Sequence, residues 1–245
     1  MKCITAYITH PGGREINEDS YGVFENNGKY FFIVADGLGG HGFGEVASKA
    51  ATDIAENAAS QSAILDGKNL IENIINDAQK SILELQIQKH NKQGMKTTIV
   101  CLCIDDNNIV WGHIGDSRLY AFKKRKLKTR TLDHSVPQML VVAKEIKEKQ
   151  IRKHPDRNKL LRVVGIPWDR PQYEISPQYS INDFDAFLLC SDGFWELIDE
   201  KTMQKLLKKA ESPQTWIEAM TQEVIKNGKN DEMDNYTAIA VWIEK

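Results

Sequence analysis

The feature that most constrains this chain is a repeated junction, in which a short apolar run ends on an aspartate at a point where the backbone must turn. It occurs at Ile33-Val34-Ala35-Asp36-Gly37, at His113-Ile114-Gly115-Asp116-Ser117-Arg118, at Leu189-Cys190-Ser191-Asp192-Gly193 and at Met233-Asp234-Asn235. Compact apolar runs bounded by turn residues read as buried strands. A strand that stops at an acidic turn presents its carboxylate at the rim of a sheet, where rigid scaffolds carry functional groups. A fifth acidic segment, Asn17-Glu18-Asp19, follows Arg14 closely. Asp-Gly and Asp-Asn are also ordinary turn dipeptides, so any one of them taken alone reads equally well as a turn. If the five segments converge, they supply the oxygen ligands that hard cations such as Mg²⁺ or Mn²⁺ prefer.

The pattern along the chain supports a sheet-rich frame with helices in blocks. Ile4, Ala6 and Ile8 alternate with polar neighbours as a half-buried strand does. From Gly44 to about Ser60, Val46, Ala47, Ala50, Ala51, Ile54, Ala55 and Ala58 mark one helical face, and 68–90 carries a second stripe through Leu70, Ile71, Ile74, Ile75, Ala78, Ile82 and Leu85. Segments 97–105 and 109–114 flank Asp106-Asn107-Asn108 as a hairpin would. Strands are expected at 118–122, 129–133, 184–190 and 236–243, with irregular to helical chain at 136–150 and helices at 200–210 and 213–227. Strand blocks and helix blocks are segregated, which favours an α+β fold of antiparallel sheets packed with helices over a doubly wound parallel sheet. No linker or repeat divides the chain, so one domain over 1–245 is expected.

Charge and composition exclude several function classes. Thirty-two Lys and Arg stand against 34 Asp and Glu, a net charge of −2, so no global excess points to nucleic acid or an anionic membrane. The longest apolar runs are six residues, too short for a transmembrane helix or a signal-peptide core, and a soluble, cytoplasmic monomer is expected. Cys3, Cys101, Cys103 and Cys190 have no metal-ligand spacing and read as reduced, buried thiols. The basic run Lys123-Lys124-Arg125-Lys126-Leu127-Lys128-Thr129-Arg130 reads as a solvated hairpin tip or as a surface for an acidic partner. Five dispersed tryptophans show no stacking pattern for single-stranded nucleic acid.

Taken in order, the motifs resemble a known family, the metal-dependent protein Ser/Thr phosphatases of type 2C (the PPM family) in bacterial form. Arg14-Glu15-Ile16-Asn17-Glu18-Asp19 resembles the family's opening R-x-x-N-x-D. Asp36-Gly37-Leu38-Gly39-Gly40-His41 with Gly44-Glu45-Val46-Ala47-Ser48 resembles its D-G-M-G-G-H-x-x-G-E-x-A-S signature. Thr97-Thr98, Gly115-Asp116-Ser117-Arg118, Asp133-His134-Ser135, His154-Pro155-Asp156-Arg157-Asn158, Ser191-Asp192-Gly193 and Asp234-Asn235 follow in the family's order.

The resemblance implies a four-layer αββα sandwich with two central antiparallel sheets. It also implies a flap subdomain at about 136–162 that shapes substrate choice. Carried over residue by residue, Asp36 bridges two Mn²⁺ or Mg²⁺ ions, Gly37 offers its carbonyl, and Asp192 and Asp234 bind the other ion. Asp19 holds metal-bound waters, with Glu18 a further water-mediated candidate, and Asp116 with Asp192 takes a third ion. Arg14 grips the phosphate, which a planar guanidinium binds through two parallel bonds. The implied reaction is hydrolysis of phosphoserine and phosphothreonine by a metal-bridging hydroxide, with Asp36, Asp192 and Arg14 as catalytic residues. The implied partners are phosphoproteins and a cognate Ser/Thr kinase. A catalytically weak or inactive phosphoprotein-binding regulator of a Ser/Thr kinase is the alternative, although such proteins usually lack the metal aspartates that stand here. Three departures are local: Lys96 replaces the usual Gly before Thr-Thr, Leu38 stands where eukaryotic relatives carry His, and the proton donor to the leaving group is unassigned. His41 is the nearest imidazole in the motif, while His134 and His154 read as structural.

Overall fold

Strand alternation explains the layers. In β3 (Lys29–Leu38), Phe31, Ile33 and Ala35 point to one side and Tyr30, Phe32 and Val34 to the other, and both sets are buried. A strand apolar on both faces must lie between two packed layers. The same holds for β5 (Ile99–Ile104), where Cys101 and Cys103 face one layer and Val100, Leu102 and Ile104 the other. It holds again for β12 (Tyr236–Glu244), with Ala238 and Ala240 opposed to Ile239, Val241 and Ile243.

The computed structural model describes residues 1–39, 43–61, 66–90, 94–228 and 233–244. One sheet runs β1 (Lys2–His10), β12, β11 (Ala186–Cys190), β7 (Arg118–Lys123) and β8 (Lys126–Arg130) in spatial order. The other runs β10 (Tyr179–Ser180), β6 (Asn108–Ile114), β5, β3 and β2 (Asp19–Asn26), with β4 (Lys96–Thr97) on β3 and β9 (Glu174–Ile175) on β6. Their ladders are antiparallel. Helices α1 (Phe43–Gln61) and α2 (Gly67–Gln88) cover the second sheet, and α5 (Glu200–Lys209) and α6 (Pro213–Asn227) cover the first. The four-layer αββα sandwich expected from the resemblance is therefore present.

Ala47, Ala51, Ala55 and Ala59 form the buried seam of α1, spaced by four, while Val46 lies outside it. Such small side chains let the helix axis come close to the sheet. All four thiols are free and buried, and burial raises each of them above the usual thiol range, Cys3 to about 12, which disfavours the thiolate.

Two expectations shift. The strand expected at 129–133 lies at Lys126–Arg130, because Lys124 and Arg125 take left-handed backbone (φ 50° and 59°) and close a two-residue hairpin without the usual Asn-Gly. The basic run is partly structural. Lys123 donates to the Asn182 carbonyl, and Arg125 Nη1 donates to the carbonyls of Leu207, Lys208 and Ala210 at the end of α5. Beyond β8, α3 (Val136–Val142) and a 3₁₀ turn (Glu148–Lys153) precede irregular chain that returns through a bridge between Val164 and Thr97.

Candidate active site

The acidic turns meet at one end of the two sheets. Asp19 opens β2 directly opposite Asp36 in the β2–β3 ladder. Asp116 sits between β6 and β7, Asp192 begins the single-turn helix α4 (Asp192–Trp195) just past β11, and Asp234 lies two residues before β12. Antiparallel neighbours bring these strand ends together although they are far apart in sequence. A cavity of about 530 Å³ at this end is lined by Arg14, Glu18, Asp36, Gly37, Asp116, Asp192 and Asp234. Asp19 lies behind that wall: it is buried, one carboxylate oxygen accepts the Ser191 hydroxyl at 2.7 Å, and the other has no hydrogen-bond partner.

Backbone bonds hold the rim. The Thr98 amide and Thr97 hydroxyl both donate to the Asp36 carbonyl at 2.9 Å, and the Thr98 hydroxyl accepts the Asp36 amide at 3.1 Å. Lys96 pairs opposite Leu38 without breaking this arrangement. Gly37 is required for space, because a Cβ there would lie 2.2 Å from the Gly44 carbonyl oxygen and 2.5 Å from that of Glu18. Asn235 ties the first loop to the last strand. Its side-chain oxygen accepts the Glu18 amide at 2.8 Å, and its amide group donates to the carbonyls of Pro11 and Ile16. The Ser191 hydroxyl likewise accepts the Thr237 amide at 3.0 Å. Asn235 and Ser191 were visible only as motif letters, since neither role has a local sequence signal.

Arg14 stands exposed at the mouth, with Nη2 3.2 Å from Asp234 Oδ2. An exposed pair of this kind is worth little, so the guanidinium can be exchanged onto an incoming anion. No other guanidinium or ammonium belongs to the described cavity lining. The fully buried Arg118 is directed away, forked onto Asp133 at 2.7 and 2.6 Å.

Crowding without compensation shows in the acidities. Burial, and then the charges of Asp192, Asp19, Asp116 and Asp234, push the Asp36 carboxyl well above the usual range. Asp116 is raised in the same way by burial and by Asp192 and Asp133. Asp19 is pushed up to about 7 and Asp192 to about 6, burial being the largest cause in both. Carboxylates packed this closely do not all ionise unless a cation joins them. The donor set is oxygen alone, with one orphaned buried oxygen on Asp19, and it fits hard divalent ions.

A second cluster, His113, His134 and Glu174, does not fit an ion equally well. The two rings stack 4.7 Å apart at 15°, so their in-plane lone pairs cannot converge on one metal. His113 Nε2 donates to the Leu132 carbonyl at 2.7 Å, and His134 Nδ1 accepts the Gly115 amide at 3.2 Å. His134 is thus structural, as the sequence suggested. His154 is too, its Nδ1 accepting the Asp156 amide. His41 lies outside the described residues.

Comparison with known proteins agrees with this geometry. Residues 9–235 match the family Protein phosphatase 2C. The serine/threonine phosphatase stp of Listeria monocytogenes serotype 4b is 32% identical over 235 residues, covering 93% of this chain and 90% of that protein. Protein phosphatase PhpP of Streptococcus pneumoniae serotype 2 is 29% identical over 206 residues, covering 79% of each. The crystal structure of Stp1 from Staphylococcus aureus superposes with a TM-score of 0.90 at 28% identity, over 100% of this chain and 96% of that one. With its rim of buried aspartates and this likeness along nearly its whole length, the chain belongs to the protein phosphatase 2C family, the metal-dependent serine/threonine protein phosphatases.

Proposed function

We propose that Asp36, the Gly37 carbonyl, Asp192 and Asp234 hold two Mn²⁺ or Mg²⁺ ions, and that Asp116 together with Asp192 holds a third. Asp19 and Glu18 support the ions from behind and beside through water. When bound, the ions supply a water of lowered pKa and neutralise charge on the phosphoryl oxygens. Arg14 binds the phosphate of a phosphoserine or phosphothreonine side chain and turns its phosphorus toward the aspartates. Ser191 and Asn235 keep Asp19, Glu18 and the last strand in register, so the carboxylates enter the reaction already placed.

The observation that carries this reading is the convergence of five buried or cavity-lining aspartates around a cavity whose described lining holds one cationic side chain, the exposed Arg14. We further propose that 136–162 forms a flap over the site, since Asn158 and Leu160 reach the cavity wall. A cognate Ser/Thr kinase supplies the phosphoprotein, and the reaction is cytoplasmic. Free buried thiols support that compartment, and no helix among the described residues is long and apolar enough to cross a membrane.

Hydrolysis of p-nitrophenyl phosphate and of a phosphothreonine peptide, assayed with Mn²⁺ and with EDTA, tests the reading. Turnover should require Mn²⁺. Asp192→Asn should lower it by more than about 100-fold while circular dichroism is unchanged, because several kcal/mol of charge stabilisation goes with the ion. Full turnover by Asp192→Asn in saturating Mn²⁺ would sink the assignment.

A further inference from the structure

The two aspartates proposed to share the third ion are linked through one side chain, that of Trp195. It closes the single turn α4 that Asp192 opens, and it is almost fully buried. Its indole Nε1 donates to the backbone carbonyl of Asp116 at 3.0 Å. The Arg118 guanidinium lies over the indole, 3.3 Å from the ring centroid, and is itself pinned by Asp133 and by the Tyr120 hydroxyl. Arg152, borne on the 3₁₀ turn within 136–162, lies over the same indole at 5.6 Å. Its Nε donates to the Trp195 carbonyl at 3.0 Å, and its Nη2 donates to the Ile198 carbonyl at 3.3 Å and to Glu200 Oε1 at 2.7 Å.

We infer that Trp195 is a positioning residue that sets the Asp116 backbone against Asp192, and that Arg152 holds Trp195 in that role. The inference rests on the metal reading above and deepens it. Packing alone does not call for an indole here. A phenylalanine would fill much of the same space, whereas the N–H is spent on the one carbonyl whose residue must face Asp192. The Arg152 fork reaches three acceptors at once, which a lysine ammonium on a flexible stem does less well. Groups that orient metal ligands from behind typically change affinity by about 10- to 100-fold when removed.

The test uses the metal-stripped full chain titrated with Mn²⁺ by calorimetry, beside thermal unfolding of the metal-free protein and KM for a phosphothreonine peptide. Trp195→Phe should weaken one Mn²⁺ by about 10- to 100-fold and leave the remaining Mn²⁺ affinity and KM unchanged. Its metal-free melting temperature should stay within a few degrees of wild type. Arg152→Met should shift the same ion in the same direction, and Arg152→Lys should restore part of the loss. If Trp195→Phe does not fold, the Arg152 pair decides the matter. Wild-type binding of every Mn²⁺ by the variants overturns the inference. So does a uniform loss of all ions that follows a lower melting temperature, because that pattern marks a structural role. A wild-type chain that binds no Mn²⁺ overturns the metal reading itself and this inference with it.

Discussion

Replacing Asp133 by asparagine should unfold this protein far more readily than its distance from the cavity suggests. Asp133 and Arg118 are both about 1% exposed at the side chain, and two short bonds of 2.7 and 2.6 Å join them. Burial by itself would raise the Asp133 carboxyl, yet Arg118 and then Arg130 hold it below the ordinary carboxylate range. Asparagine keeps the volume but removes the charge and turns an N–H group toward the guanidinium. Arg118 would keep one neutral acceptor, the new amide oxygen, beside the Tyr120 hydroxyl at 3.0 Å, the Trp195 ring face and the more distant Glu200 at 3.7 Å, and would lose its charged partner. Breaking a buried pair from one side costs about 3–5 kcal/mol. At about 2–4 °C per kcal/mol for a chain of this size, the melting temperature should fall by roughly 6–20 °C. Urea unfolding of wild type, Asp133→Asn and the double variant Arg118→Met/Asp133→Leu provides the measurement. The double variant should recover most of the loss, since the cost lies in the stranded charge and not in the missing bond. A single variant that loses less than about 1 kcal/mol, or a double variant as unstable as the single, would refute the reasoning.

Two further outcomes follow from the same electrostatics. Adding Mn²⁺ at about 100 times its dissociation constant should raise the melting temperature by roughly 5–10 °C, because ligand binding at that excess contributes about 2.7 kcal/mol and the crowded aspartates are relieved of repulsion. Differential scanning with and without EDTA checks this. His134 is held down to about 4 by burial and then by His113, against the opposing pull of Glu174. A depressed histidine leaves the unfolded chain binding more protons between pH 6.5 and 4, so its contribution is intact above about pH 6.5 and is lost as pH falls toward 4, by up to about 3 kcal/mol. His134→Gln should therefore show a shallower loss of stability across that window than wild type.

The strands were legible because period-2 alternation and short apolar runs survive without any knowledge of neighbours. Phe31, Ile33 and Ala35 against Tyr30, Phe32 and Val34 already mark β3 as buried on both faces. The misplaced strand at 129–133 shows the opposite case. Lys124 and Arg125 adopt left-handed backbone that their side chains disfavour, and the contacts with Asp185 and with the end of α5 hold them there. The roles of Ser191, Asn235 and Trp195 were hidden for a related reason. Each makes at least one hydrogen bond to a backbone or carboxylate group 79 or more residues away in sequence.

By itself, the sequence singled out the residue types proposed to carry the chemistry: aspartates at the ends of apolar runs and a lone arginine near the start, with no thiol in an activating setting. Local pattern suffices for that, because turn propensity and apolar periodicity act over a few residues. Only the tertiary structure decided that the acidic turns face one cavity, that Asp19 stands behind it, and that Asp133 and His134 serve the framework instead. Convergence depends on which strand ends are neighbours, and antiparallel order is settled by long-range packing between the two sheets and their helices.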